Sequence, residues 1–181
     1  MEIWLFLSAT IFLGWFSRRS LISPRSHGFY RFLAWEIIAL LVVLNLRIWF
    51  YQPFSWNQII SWLLLLGSIL VAGFGIVQLK QLGVPDGSRQ DTTLIGLEKT
   101  TELVTTGLFR YIRHPLYSSL LLLAWGVFFK QPSWRNGLLA ALAFLFLTLT
   151  ARIEEQENIA YFGEAYQSYR SKTKQFIPFI F

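Results

Sequence analysis

Two short polar segments hold the residues of this chain that could do chemistry. In the first, Arg113, His114 and Tyr117 place a guanidinium, an imidazole and a phenol within five residues. In the second, Glu154 and Glu155 directly follow an apolar run. Ionisable groups beside apolar segments are costly to desolvate, so two such clusters indicate a binding or catalytic site.

Composition indicates that a membrane surrounds these segments. Apolar residues make up 54% of the 181 residues and charged residues only 14%, and the mean hydropathy is +0.46. A soluble domain of this length could not bury so much apolar surface, whereas a bilayer can. The absence of cysteine excludes disulfides and thiol chemistry, and His27 and His114 lie too far apart in sequence to suggest a histidine-rich metal site.

Five apolar runs predict an all-α protein with five transmembrane helices. They cover residues 3–16, 32–51, 59–79, 116–129 and 138–150. A helix needs roughly 20 apolar residues to cross a bilayer, and about 17 at the low end, so the first, fourth and fifth runs need flanking residues or a thin bilayer. Residues 154–172 have the spacing of an amphipathic helix.

We expect one membrane domain over residues 1–181. It comprises three spans within residues 1–79, a cytosolic loop with the first motif at 80–115, a helical hairpin at 116–152 and a cytosolic tail at 153–181. Basic residues concentrate in the connections that carry the two polar segments, whereas residues 52–58 are uncharged and residues 130–137 carry only Lys130 and Arg135. The positive-inside rule therefore predicts an external N-terminus and a cytosolic site.

The order of motifs in the second half of the chain is more specific than any single motif. The series reads Gly107-x-x-Arg110-Tyr111-x-Arg113-His114-Pro115-x-Tyr117, then Glu154-Glu155, then Phe162-Gly163-x-x-Tyr166-x-x-Tyr169. Over residues 103–181 it resembles the isoprenylcysteine carboxyl methyltransferase and phospholipid N-methyltransferase superfamily. Ser119 stands where that superfamily usually has glycine, and Asn158 where it has an apolar residue.

The resemblance implies that S-adenosylmethionine binds between the two polar segments. Gly73-Phe74-Gly75 also resembles a Gly-x-Gly that contributes to binding in the phospholipid branch. The implied cofactor-binding residues are Gly73, Gly75, Arg113, His114, Pro115, Tyr117, Glu154 and Glu155, of which Arg113, His114 and Tyr117 are the implied catalytic residues; no metal is expected. The carboxylates can accept hydrogen bonds from the ammonium or ribose diol, and the cationic segment can donate to a carboxylate.

Other interpretations of some residues stay open. Gly73 and Gly75 also suit close helix packing. Glu157 is expected to be a solvated residue favoured by a helix dipole, so it is left out of the site. Pro115 is expected to begin the fourth apolar helix and to keep His114 out of helical geometry, so that His114 and Tyr117 face the same side.

The expected function is methyl transfer from S-adenosylmethionine to a lipophilic acceptor, either an isoprenoid-type carboxylate or a phospholipid amine, in a multi-pass protein of a bacterial inner membrane. The expected partners are the bilayer and this acceptor, and not nucleic acid. One alternative is an NADPH-dependent reductase, because sterol-reductase-like proteins share Arg-His-x-x-Tyr, although a dinucleotide would favour cations over the Glu154-Glu155 pair. The other is a non-catalytic scaffold or small transporter, against which stands polar chemistry at one membrane face.

Overall fold

Seven α-helices form the described part of the chain, residues 1–84 and 99–180 of a computed structural model. They are α1 (Glu2–Phe16), α2 (Arg18–Leu21), α3 (His27–Asn45), α4 (Trp56–Leu82), α5 (Pro115–Phe128), α6 (Trp134–Phe162) and α7 (Glu164–Lys172). Two 3₁₀ helices, Leu46–Ile48 and Gly107–Arg110, lie between them. These residues contain no β-strand, which confirms the all-α prediction.

Three helical segments are long and apolar enough to cross a membrane. They are His27–Ile48, Trp56–Leu82 and Trp134–Phe162, and they indicate an integral membrane protein. Helices α1 and α5 are apolar but have only 15 and 14 residues. Each predicted apolar run therefore lies in a helical region, while the five-span arrangement stays a prediction.

The prediction of one amphipathic helix over residues 154–172 is wrong in its boundaries, because this range is divided between α6 and α7. Helix α6 continues without a break from the hairpin to Phe162, over 29 residues, and only α7 is separate. The break falls at Gly163, whose φ of 62° lies in the left-handed region that glycine tolerates best. Glu154 and Glu155 therefore stand on the extension of a long core helix.

Helix packing brings this extension to the start of α5. Helix α4 packs along α5, α3 packs along α6, and α5 also contacts α6. The shared core includes the fully buried aliphatic residues Ala34, Leu41, Ala124, Val127 and Leu147. Inside it, the Nδ2 atom of Asn136 donates to the Oδ1 atom of Asn45 over 3.0 Å, which ties α6 to α3.

At the opposite end of α5, a buried lysine holds the hairpin against α4. The Nζ atom of Lys130 donates to the Oε1 atom of Gln58 over 2.9 Å and lies 3.3 Å from the ring centroid of Trp62. Burial lowers the pKa of Lys130 to about 8. The two ends of α5 are thus both fixed by polar contacts.

Candidate active site

The motif that contains the first polar segment begins at Gly107, which packs against α4. Gly107 has a φ of 60°, and a Cβ atom there would lie 1.5 Å from the Nε2 atom of Gln78. The Oε1 atom of Gln78 accepts a hydrogen bond from the main-chain N–H of Leu108 over 3.1 Å. The start of the segment is therefore fixed to the end of α4, and glycine is the residue that fits there.

Main-chain pairing fixes the middle of the segment. The N–H of Arg113 donates to the carbonyl of Lys174 over 2.8 Å, and the N–H of His114 donates to the carbonyl of Gln175 over 3.2 Å. These bonds form a parallel bridge between residues 111–114 and the stretch that follows α7. The chain after α7 thus holds Arg113 and His114, which line the pocket, in place.

The end of the segment begins α5 as the sequence predicts. Pro115 is the first residue of α5, and His114 precedes it with φ −123° and ψ 63°, outside helical geometry. The rings of His114 and Tyr117 stack with centroids 5.4 Å apart and an interplanar angle of 15°. The predicted placement of His114 and Tyr117 on the same side is confirmed.

Glu155 organises the cationic residues around it. Its side chain is only 3% exposed. Its Oε1 atom accepts hydrogen bonds from Arg113 Nε over 2.8 Å and Gln175 Nε2 over 3.5 Å, and lies 3.3 Å from His114 Nε2. Its Oε2 atom lies 3.0 Å from Arg170 Nε. Both oxygens are engaged by the protein itself.

Arg113 joins this network to the end of α7. Its Nη1 atom donates to the main-chain carbonyls of Arg170, over 3.2 Å, and Thr173. A cation there also complements the negative end of the helix dipole. The Nη2 atom makes no hydrogen bond to the described residues, and Arg113 lines the pocket. One donor atom of Arg113 is therefore left for a ligand.

Glu154 differs from its neighbour because it lines the pocket. Its Oε2 atom is shielded from solvent and accepts no hydrogen bond from the described residues. The same atom lies 3.7 Å from the Nδ1 atom of His114, so the imidazole of His114 stands between the two carboxylates. Glu154 is therefore the carboxylate that a ligand can engage.

The pocket in front of these groups is lined by both polar and apolar side chains. The polar ones include Arg113, His114, Tyr117 and Glu154. The apolar ones include Leu79, Leu103, Val104, Phe109, Pro115 and Leu116. Such a pocket suits a ligand with a charged part and a neutral part.

Four lining residues that the predicted site lacks come from the end of α6 and from α7. Asn158 and Phe162 follow Glu154 by one and two helical turns, and this spacing of four would have indicated them once α6 was known to continue. Tyr166 and Tyr169 come from α7. The sequence showed these two tyrosines as a motif but gave no reason to place them opposite Glu154.

Both tyrosines are hydrogen bonded in this setting. The hydroxyl of Tyr169 donates to the carbonyl of Phe109 over 2.7 Å, and the hydroxyl of Tyr166 is hydrogen bonded to Asn158. Burial raises the pKa of Tyr166, as do the charges of Glu154 and Glu155, and burial also raises the pKa of Tyr169. The two phenols stay protonated at neutral pH.

The two predicted glycines do not line the pocket as the described residues define it. Gly75 is buried, and a Cβ atom there would lie 3.1 Å from the Cδ2 atom of Leu116 and 3.7 Å from Pro115. Gly73 is exposed, and a Cβ atom there would meet nothing within 4 Å. Gly75 therefore lets α4 approach the first turn of α5, which carries the site.

The structure corrects the expectation that Glu157 is a solvated residue. Its Oε2 atom lies 2.5 Å from the Nδ1 atom of His27, whose side chain is fully buried. Its Oε1 atom accepts a hydrogen bond from the main-chain N–H of the same residue over 3.4 Å. Glu157 thus binds the start of α3, on a face of α6 that is not part of the pocket.

Comparison with known proteins returns methyltransferases. The chain is 25% identical over 134 residues to a methanethiol S-methyltransferase of Crocosphaera subtropica, covering 74% of this chain and 48% of that one. A methanethiol S-methyltransferase of Pseudomonas deceptionensis is 26% identical over 157 residues, covering 78% and 57%. A protein-S-isoprenylcysteine O-methyltransferase of Schizosaccharomyces pombe is 33% identical over 79 residues, covering 43% and 34%.

The chain therefore spans about half the length, or less, of these curated relatives. No solved structure matches it. The family profile described as phospholipid methyltransferase matches residues 56–165, which is more than half of the chain and includes both polar segments. The resemblance seen in the motifs is confirmed, and the chain belongs to the phospholipid methyltransferase family.

Proposed function

We propose that this protein is a membrane-bound methyltransferase that uses S-adenosylmethionine. The observation that carries the proposal is the Oε2 atom of Glu154, a buried acceptor that has no hydrogen bond from the described residues and belongs to a pocket-lining side chain. A buried carboxylate oxygen is costly to leave without a donor. A ligand with cationic and hydroxyl donors would remove that cost, and the family membership supports the same assignment.

The residues present fit this cofactor. Its ammonium and ribose hydroxyls are donors suited to Glu154, and its carboxylate is an acceptor suited to the Nη2 atom of Arg113. Phe162 and Tyr166 stack with centroids 6.5 Å apart and an angle of 16°, and such aromatic surfaces suit an adenine ring. Gly75 is assigned a packing role instead, whereas Gly73 is exposed and does not line the pocket as the described residues define it.

When bound, S-adenosylmethionine supplies an electrophilic methyl group. The work of the protein is then to hold and orient, which accounts for up to roughly 7–11 kcal/mol of a barrier in well-oriented systems. Glu155 holds Arg113 and His114 in place, and the stacked ring of Tyr117 limits rotation of His114. We propose Arg113, His114 and Tyr117 as the residues that shape the reacting end of the pocket.

We propose a lipophilic acceptor, an isoprenoid-type carboxylate or a phospholipid amine, that enters from the bilayer. Leu79 and Leu116 line the pocket and belong to the apolar helices α4 and α5. An acceptor that travels along these helices from the bilayer would therefore meet apolar side chains of the pocket. The relative named protein-S-isoprenylcysteine O-methyltransferase supports an acceptor of this kind.

A small apolar thiol is the second candidate acceptor. Two relatives that align with about three quarters of this chain are named methanethiol S-methyltransferases. A neutral thiol would also pack against the apolar lining residues. The matches to methyltransferases do not favour the NADPH-dependent reductase.

We also propose five spans with the N-terminus outside and the pocket at the cytosolic face of a bacterial inner membrane. The charge distribution supports this orientation. Because the chain has no cysteine, single cysteines can be labelled from either side in inside-out and right-side-out vesicles. We expect Phe54→Cys to react from outside and Ser168→Cys from inside; the reverse pattern would refute the orientation.

Binding and transfer can be tested separately. Purified protein should bind S-adenosylhomocysteine and not NADPH, and Glu154→Gln should weaken that binding whereas exposed Gln156→Ala on the same helix should not. Membranes given methyl-labelled S-adenosylmethionine should then yield labelled lipid on extraction, or a labelled volatile thioether when methanethiol is added. Binding of NADPH alone would refute the methyltransferase proposal, and label confined to other water-soluble products would refute both acceptors.

A further inference from the structure

Three of the first four residues after α7, namely Thr173, Gln175 and Phe176, are buried and lie against the site. The carbonyl of Thr173 accepts a hydrogen bond from Arg113, and the amide of Gln175 donates to Glu155 over 3.5 Å. The carbonyl of Phe176 accepts a hydrogen bond from the hydroxyl of Ser118 over 2.8 Å. Residues 173–176 therefore contact Arg113, Glu155 and Ser118 beside the pocket.

The next residues reverse this pattern, because they are apolar and exposed. Ile177, Phe179 and Ile180 are 48%, 82% and 76% exposed. The ring of Phe179 meets that of Tyr111, itself 46% exposed, edge to face with centroids 6.0 Å apart. We call residues 177–180 the apolar hook. A contiguous exposed apolar patch of this kind marks a surface that meets a membrane or a partner.

The charges around the apolar hook favour a membrane. Lys172 and Lys174 are exposed just before it, and the guanidinium of exposed Arg110 lies 5.9 Å from the ring centroid of Tyr111. Aromatic and aliphatic groups flanked by cations are typical of a segment that lies in the headgroup region of an anionic bilayer.

The position of the hook relative to α5 agrees with that depth. The carbonyl of Phe176 accepts a hydrogen bond from Ser118 in the first turn of α5. Residue 177 therefore lies beside the start of this apolar helix. Tyr111, which contacts Phe179, precedes the same helix by four residues. The hook is thus level with the end of an apolar helix, where the bilayer meets water.

We infer that the apolar hook inserts into the anionic lipid surface of the membrane that holds this protein, and that this contact stabilises residues 173–176 and through them the pocket. The hook directly follows residues 173–176, which are hydrogen bonded to Arg113. Fixing the hook therefore restricts these residues. The lipid contact is independent of the proposed function, whereas its effect on cofactor affinity rests on it.

Site-specific fluorescence tests the lipid contact. The full chain carrying Phe179→Cys, labelled with an environment-sensitive dye, is placed in phosphatidylcholine vesicles with and without phosphatidylglycerol. We expect blue-shifted emission, quenching by lipids spin-labelled near the headgroup, and a larger effect with phosphatidylglycerol. The matched control is Gln167→Cys on an exposed position of α7, which should be quenched by aqueous iodide. Equal iodide quenching at both positions would overturn the inference.

Coupling to the pocket is tested with the double variant Phe179→Ser and Ile180→Ser. In phosphatidylglycerol-containing nanodiscs it should bind S-adenosylhomocysteine roughly 5-fold or more weakly, the lower range for coupled sites. Faster hydrogen exchange at the amides of Arg113 and His114 should accompany this loss. Phe54 is about as exposed as Phe179 and lies between α3 and α4. Phe54→Ser should change neither the affinity nor the hydrogen exchange. If hydrogen exchange at these two amides were unchanged in the double variant, the coupling would be refuted. This readout does not depend on whether the wild type binds the cofactor.

Discussion

Carboxylates of helix α6 contact two histidines, His27 and His114. The two arrangements differ in whether a carboxylate oxygen is left without a hydrogen bond from the described residues. Glu157 uses both oxygens on His27, at its ring and its main-chain N–H. Glu154 and Glu155 share His114, and one oxygen of Glu154 accepts no hydrogen bond from the described residues. On the Glu157 face of α6, the glutamate–histidine pair therefore satisfies both carboxylate oxygens. On the Glu154 face, one carboxylate oxygen can still accept a hydrogen bond from a ligand.

This difference separates a structural role from a binding role more clearly than residue type does. Glu157 places negative charge at the start of α3, where the helix dipole favours it. The pair thereby ties α3 to α6 on a face away from the pocket. With that face packed against α3, Glu154 lines the pocket while Glu155 points into the network behind it.

The largest effect is expected for Glu155→Ala. It leaves Arg113 and His114 without their buried acceptor, and breaking a buried ion pair in this way costs about 3–5 kcal/mol. Thermal unfolding in detergent should shift strongly downward, and binding of S-adenosylhomocysteine should be lost at the same time. Lost binding with unchanged stability would mean that Glu155 contacts the ligand itself, and the contrast with Glu154 would fail.

The sequence could predict where the helices and motifs lie but not which carboxylate does what. Apolar runs and Pro115 located the helices because local patterning specifies them. Glu154 and Glu155 are chemically identical neighbours, and their roles depend on packing against α3. The partner of Glu157 is 130 residues away, and Gln175 joins Glu155 through a bridge that no local pattern encodes.

The second effect sharpens the comparison by changing charge alone. Glu154→Gln keeps the shape of the side chain and removes the charged acceptor, so binding of S-adenosylhomocysteine should weaken by about 10- to 100-fold, the worth of one hydrogen bond to a charged group. The melting temperature should stay near that of the wild type. Calorimetric titration and unfolding of the same preparation measure both quantities. A large stability loss without a change in affinity would reverse the roles assigned to Glu154 and Glu157.

The third effect is expected on stability and not on affinity, the reverse of the second. Glu157→Gln weakens the contact with His27, and we expect a loss of about 1–2 kcal/mol, the upper range for a partly buried charge at a helix end. Affinity for S-adenosylhomocysteine, measured well below the melting temperature, should not change. If Glu157→Gln and Glu154→Gln weakened binding equally, the two faces of α6 would not be functionally distinct.

The smallest effect concerns the neutral residue that continues the pocket face. Asn158 follows Glu154 by one turn, lines the pocket and is hydrogen bonded to Tyr166. Asn158→Leu restores the apolar residue usual in the superfamily but removes this partner, so we expect a loss of about 0.5–1.5 kcal/mol in binding, up to roughly 10-fold. Gln156→Leu, exposed on another face of α6, is the control and should bind normally. Tighter binding by Asn158→Leu would show that this face prefers an apolar contact, and the polar pocket would then end at Glu154.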